Sequence, residues 1–132
     1  MPPSPSKPSN RQPSRARIAA YLSGHRGETL AAWFLRLKLY RIIERRYKTP
    51  VGEIDLIATR FGTTVFVEVK ARSRAASEAE TLEAIKTSRI VGAAQYWLAR
   101  HPDKAETSLR FDVIFLAPGQ WPRHVINAFD AS

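Results

Sequence analysis

Apolar and polar positions along this chain follow two different periods. In "HRGETLAAWFLRLKLY", from His25 to Tyr40, Leu30, Ala31, Phe34, Leu37 and Lys38 recur at helical spacing. With Trp33 adding bulk, they predict a first helix. A basic strand starts near Tyr40 and runs through "RIIERRYKT", a composition suited to a sheet edge. Pro50 and Gly52 then mark a turn. "EIDLIATR" and "TVFVEVKAR" read as two more strands joined by a turn at Gly62, the second rich in β-branched and aromatic residues. "SRAASEAE" reads as a loop. From Glu78 to Arg100, Ala84, Ile85, Ile90, Val91, Ala94, Trp97 and Leu98 keep a helical period and predict one long helix, stopped at Pro102. "LRFDVIFLA" and "HVINAF" are the last two strands, with the loop "PGQWPR" between them. The predicted order is helix-strand-strand-strand-helix-strand-strand. The first three strands form a meander of hairpins, and the long helix crosses over to add a further strand. The fold class is α/β, a mixed sheet with helices packed on it.

The first 17 residues stand apart. "MPPSPSKPSNRQPSRAR" holds five prolines, four serines and four basic residues without one acid. Such a segment buries too little apolar area to offset its ordering entropy, which predicts a disordered tail. It lacks the apolar stretch of a secretory signal. Residues 18–132 then form a single domain, long enough to bury a core.

Charge and composition narrow the function. Lys and Arg number 21 against 12 Asp and Glu, a net charge of +9, and +5 remains after the tail's four basic residues are removed. A small domain this basic attracts polyanions, nucleic acid above all. There are no cysteines, which excludes disulfides, thiolate chemistry and cysteine-ligated metal and fits a reducing cytoplasm. No run approaches the ~20 apolar residues of a membrane span. His25, His101 and His124 lie far apart without ligand spacing and read as surface or loop residues.

The chemistry is concentrated in "VGEIDLIATRFGTTVFVEVKAR", from Val51 to Arg72, where charged residues interrupt two apolar strands. Side chains alternate along a strand, so Glu53 and Asp55 share one face and Glu68 and Lys70 share one face of the next strand. If the two strands pair around Gly62, Asp55 lies close to Glu68 and Lys70. Burying separate carboxylates costs several kcal/mol each (order of magnitude) unless something compensates. Asp55 and Glu68 offer hard oxygens suited to Mg²⁺. Lys70 can neutralise a phosphate oxygen or orient an attacking water, which completes the parts for metal-assisted phosphodiester hydrolysis. Structural ion pairs from Lys70 to Asp55 or Glu53 are the competing account.

The series "GHRGETLAAWFL", "GEIDLIA", "VFVEVKAR", "IKTSRIVGAAQYWL" and "RFDVIFL", over roughly Gly24 to Phe115, resembles the YraN-like family of small bacterial proteins. These are predicted nuclease-fold members of the PD-(D/E)xK superfamily, akin to archaeal Holliday-junction resolvases. The resemblance implies a restriction-endonuclease-like core. It also implies Asp55 and Glu68 as metal ligands, Lys70 as the motif lysine, and Glu28 of the first helix as the residue completing the shell for Mg²⁺ or Mn²⁺. Gly52 and Glu53 stand where the wider superfamily often has a proline before its acid. That leaves Glu53 open between supporting the site and lying in solvent.

Arg72, Arg74, Lys86 and Arg89 surround the site as candidate phosphate contacts, Lys86 and Arg89 being three apart on one helix face. Trp33, Phe34, Tyr96 and Trp97 fit helix core positions better than base-stacking platforms. The expected activity is hydrolysis of DNA phosphodiesters, including branched DNA such as Holliday junctions, in a cytoplasmic protein. Resolvase-like relatives imply two-fold pairing into a homodimer. Two other classes compete: a nucleic-acid-binding protein that keeps the nuclease fold without cutting, and a protein-interaction module whose charge cluster is structural.

Overall fold

β-Branched and aromatic runs separated by tight turns build a five-stranded sheet, and the helices cover both its faces. The computed structural model describes residues 25–71 and 77–131. Along the chain lie α1 (His25–Leu37), β1 (Arg41–Lys48), β2 (Glu53–Arg60) and β3 (Thr63–Ala71), then α2 (Glu78–Ala84), α3 (Thr87–Arg100) and α4 (Pro102–Ala105), and last β4 (Ser108–Leu116) and β5 (Arg123–Phe129). The sheet order is β1-β2-β3-β4-β5. All neighbours are antiparallel except β3 and β4, which run parallel across the helical crossover. The basic strand β1 is an edge strand. The β2–β3 hairpin turns through Phe61 and Gly62, both at positive φ, as a two-residue turn requires.

One face of the sheet packs Leu56, Ala58, Val65, Val67, Ile114 and Leu116 against Ala31, Ala32 and Leu35 of α1. The other packs Ile57, Phe66, Val113 and Phe115 against Ile90, Ala93, Ala94 and Trp97 of α3. Trp97 is fully buried and donates its indole N–H to Glu44 of β1 at 3.0 Å.

Several expectations need correction. The single helix expected from Glu78 to Arg100 is two helices, with the further turn α4 after them, so the order of elements is not the one predicted. Ile85 and Ile90 are both buried in the same cluster. In one continuous helix they would sit ~140° apart, at 100° per residue. The chain reconciles them by ending α2 at Ile85, which is extended, and starting α3 at Thr87. The first helix stops at Leu37 rather than Tyr40, because Leu39 adopts φ 72° and closes it.

The buried face of α1 is not the predicted stripe. Small residues, Ala31 and Ala32, lie against the sheet, while Leu30, Trp33 and Leu37 are exposed. His124 is no surface residue, its side chain being only 3% exposed. His101 stacks on Trp97 with ring centroids 4.1 Å apart. The expected tail and its boundary at residue 17 lie outside the described residues.

Candidate functional site

Strand alternation fails once in β2, and the charged residues gather at that point. Ile54 and Ile57, three apart, both face the α3 side. On β1, the residue opposite Asp55 is Arg46, between the pairs Arg45↔Leu56 and Tyr47↔Ile54. Arg46 has φ 51°, a conformation rare outside glycine. Its side chain turns to α1, where Nε lies 3.4 Å from Glu28 Oε2. The preceding Arg45 also reaches α1, donating to Thr29 Oγ1 at 2.6 Å.

On the other side of Asp55, the ladder between β2 and β3 ends at Leu56↔Val67. Beyond it, Asp55 Oδ2 accepts the Val69 backbone N–H at 2.7 Å, so a carboxylate takes over from a strand carbonyl. The result is a notch where β2 and β3 part.

Five charged side chains meet there. One carboxylate oxygen from each of Glu28, Glu53 and Asp55 lies within 4.8 Å of the others. Asp55 and Glu68 share a side-chain hydrogen bond. Lys70 Nζ stands 3.6 Å from Glu68 Oε1. The Glu28 and Glu68 side chains are mostly buried, at 12% and 16% exposed, whereas Lys70 is open at 41%.

Crowding raises the proton affinity of the acids. Burial, then the Asp55 charge, pushes Glu28 up to about 7. Burial and Asp55 likewise push Glu68 up to about 8. Asp55 is also raised, by burial, against the pull of the Val69 N–H and the Glu68 hydrogen bond.

Local sequence explains how the acids are held. Glu28 lies in the first turn of α1, where the helix dipole favours an acid. The β1–β2 loop is stitched by Thr49, whose Oγ1 donates to the Gly52 carbonyl and accepts from the Val51 and Gly52 N–H groups. Gly52 presses so close to α3 that a Cβ there would lie 2.2 Å from the Arg89 carbonyl oxygen. Glu53 is delivered directly after this contact. Glu68 and Lys70 face a pocket of about 230 Å³ whose opposite wall carries Ile85, Lys86 and Arg89.

The residues fit a hard divalent cation. The donors are carboxylate oxygens, and Glu28 Oε2 is buried without a hydrogen bond among the described residues. Glu28, Asp55 and either Glu53 or Glu68 would hold such an ion.

Of the residues singled out in the sequence, Asp55, Glu68, Lys70 and Glu28 converge, and Lys86 and Arg89 border the same pocket. Arg72 and Arg74 fall outside the described residues. Glu53, which the sequence left open, is exposed and joins Glu28 and Asp55 in a group whose carboxylate oxygens lie within 4.8 Å of one another. The sequence reading missed Arg46 entirely. The charge run in β1 was a signal that some of its arginines have partners.

Among the described residues, no helix is long and apolar enough to cross a membrane. Residues 27–116 match the family model described as uncharacterised protein family UPF0102. A UPF0102 protein of Rhodopseudomonas palustris (strain BisA53) is 48% identical over 120 residues, covering 91% of this chain and 92% of its own. One from Bradyrhizobium diazoefficiens is 49% identical over 119 residues, 90% of each chain. One from Chelativorans sp. (strain BNC1) is 50% identical over 116 residues, 88% of this chain and 94% of its own.

Proposed function

We propose that this chain, which belongs to the uncharacterised family UPF0102, is a metal-dependent nuclease of the PD-(D/E)xK type that hydrolyses DNA phosphodiester bonds, branched DNA included. The observation that carries the reading is the convergence of Asp55, Glu68 and Glu28 beside Lys70 where β2 and β3 part. Arg46 beside Glu28, the Val69 N–H on Asp55 and Lys70 beside Glu68 do not offset burial in full, since all three acids keep a raised proton affinity that a cluster of structural ion pairs would lack. A five-stranded mixed sheet with a parallel β3–β4 pair also suits the restriction-endonuclease-like core that the sequence resemblance implies.

Mg²⁺ or Mn²⁺, when bound, would supply charge stabilisation at the scissile phosphate and a stronger nucleophile. Asp55, fixed by the Val69 N–H, and Glu28, fixed by α1 and Arg46, would set where the ion sits. Lys70 projects from Glu68 toward solvent, so its ammonium can donate to an attacking water or to a phosphate oxygen. Lys86 and Arg89, across the pocket, would hold a flanking phosphate. Contacts of this kind read the backbone and not the bases.

The test is cleavage of labelled linear and four-way-junction DNA with Mg²⁺, Mn²⁺ or EDTA, comparing wild type with Asp55→Asn and Lys70→Ala. Metal-dependent cutting that both variants lose is expected. Salt-sensitive DNA binding without cutting in any metal would replace the reading with a non-catalytic binding protein.

A further inference from the structure

A second surface lies along α1, away from the acids. Leu30, Trp33 and Leu37 line one side of an open groove of about 430 Å³, and Trp121 of the β4–β5 loop lines the other. Trp33 is 60% exposed and Trp121 81%, whereas the third tryptophan, Trp97, is wholly buried. Exposed tryptophan rings are enriched at binding surfaces.

Cations stand beside the groove. The Arg36 guanidinium lies over the Trp33 ring, 5.3 Å from its centroid. Lys38 lies over the Phe34 ring at 5.3 Å. Its ammonium is held in place, 2.7 Å from His124 Nδ1, while His124 Nε2 is bound 2.6 Å from Asp112. No residue lining the groove is acidic. Flat aromatic faces edged by cations suit unpaired bases with their phosphates. A second copy that paired this groove with itself would bring the exposed Arg36 against its own counterpart, which like-charge repulsion disfavours.

We propose that this groove is a stacking platform for single-stranded nucleic acid. Bases lie on Trp33 and Trp121, and Arg36 holds a phosphate. The platform rests on the nuclease reading in one respect, that it gives the substrate class: DNA with an unpaired segment next to the cleaved bond. α1 links the two surfaces. Glu28 belongs to the notch, and Trp33 stands five residues on, ~7.5 Å along the helix axis and ~140° around it, so a strand leaving the notch would wrap α1 to reach the groove.

The experiment titrates the full chain with oligo-dT in EDTA, reading tryptophan fluorescence, beside a blunt duplex of the same length. Quenching is expected, because two of the three tryptophans are exposed and the buried Trp97 serves as an internal reference for folding. Trp33→Ala and Trp121→Ala should each weaken oligo-dT binding by about 5-fold or more, as loss of a stacking partner does. Duplex binding should hardly change, and Trp33→Phe should retain most of the affinity. Unaltered oligo-dT affinity in both alanine variants overturns the proposal. So does loss of a sedimenting dimer in Trp33→Ala with no change in affinity, which would assign the groove to a second copy. The two readings fail separately. A chain that stacks oligo-dT through these tryptophans but never cuts loses only the nuclease reading. One that cuts normally without either tryptophan, and binds oligo-dT as wild type, loses only the platform.

Discussion

The carboxylate of Asp55 on β2 accepts the backbone N–H of Val69 on β3 at 2.7 Å, at the point where the two strands stop pairing. One side chain thus ends a β ladder and anchors an acid cluster. The two roles can be separated by substitution. Asp55→Asn keeps an acceptor for Val69 and should fold with near wild-type stability, while losing metal-dependent cleavage. Asp55→Ala leaves the Val69 N–H without that partner and should cost about 1–3 kcal/mol in addition. Urea denaturation of both variants, read beside cleavage, checks the split. Equal stability of the two would show that the Val69 bond contributes nothing.

The acid cluster should also make stability depend on pH in an unusual direction. Glu28 and Glu68 are raised from an ordinary value of 4.5 to about 7 and about 8. Between those limits the folded chain holds protons that the unfolded chain has released. Stability therefore falls as pH rises from about 4.5 to about 8. A divalent cation takes the ionised carboxylates and should reverse the trend. Mg²⁺ or Mn²⁺ should raise Tm at pH 8 and have little effect at pH 5, where protons compete. Melts in EDTA and in metal across this range test it. Glu28→Gln should flatten the EDTA slope, and a wild-type curve already flat in EDTA would contradict the crowding argument.

Gly52 is the tightest backbone approach near the site. A Cβ would meet the Arg89 carbonyl oxygen at 2.2 Å and its carbon at 2.9 Å, both of them backbone atoms that cannot rotate away. Gly52→Ala must push the β1–β2 loop from the first turn of α3. A cost of about 1–3 kcal/mol is expected, as for other overpacked contacts. Glu53 should be displaced with the loop, so affinity for Mn²⁺, measured by calorimetry, should fall too. Val51→Ala, on the exposed side of the same loop, is the matched control.

How much of this was legible in the sequence depended on which physical signal each feature leaves. The hairpin of β2 and β3 was readable because β-branched residues flank Gly62, and the meeting of Asp55, Glu68 and Lys70 followed from the two-residue period. The basic run of β1 was readable, but which of its arginines meets Glu28 was not. Arg46 turns toward Glu28 by taking φ 51°, and an arginine in that conformation leaves no mark in composition. Glu53 was left open because alternation put it on the face of Asp55 while the motif gave it no role; it is exposed and yet offers an oxygen beside Glu28 and Asp55. The orientation of α1 was misread because apolar bulk was taken to mark the core. The helix sits on the sheet through Ala31, Ala32 and Leu35, while Leu30, Trp33 and Leu37 face outward.

Asp112 shows the opposite electrostatics to the notch, and its pH dependence should have the opposite sign. It is fully buried on β4 and accepts from Arg110 Nε at 2.9 Å, from an Arg110 terminal nitrogen at 2.8 Å, and from the Asn127 N–H at 2.9 Å. His124 Nε2 completes the set at 2.6 Å. Burial works to raise its pKa, but the hydrogen bonds from His124, Arg110 and Asn127 outweigh it and hold the carboxyl below its ordinary 3.8. The ionised form therefore contributes stability at every pH above that of the unfolded carboxyl. The contribution is lost as pH falls from about 4 through the folded value. Asp112→Ala removes the anion and leaves Arg110 without its carboxylate, so it should cost about 3–5 kcal/mol at pH 7, the range for breaking a buried pair from one side. The deficit should narrow as the pH is taken below 4, because the wild type then loses the same charge. Denaturation of both proteins at pH 7 and pH 3 decides it. A constant difference at the two pH values would mean that Asp112 acts through packing and not through its charge.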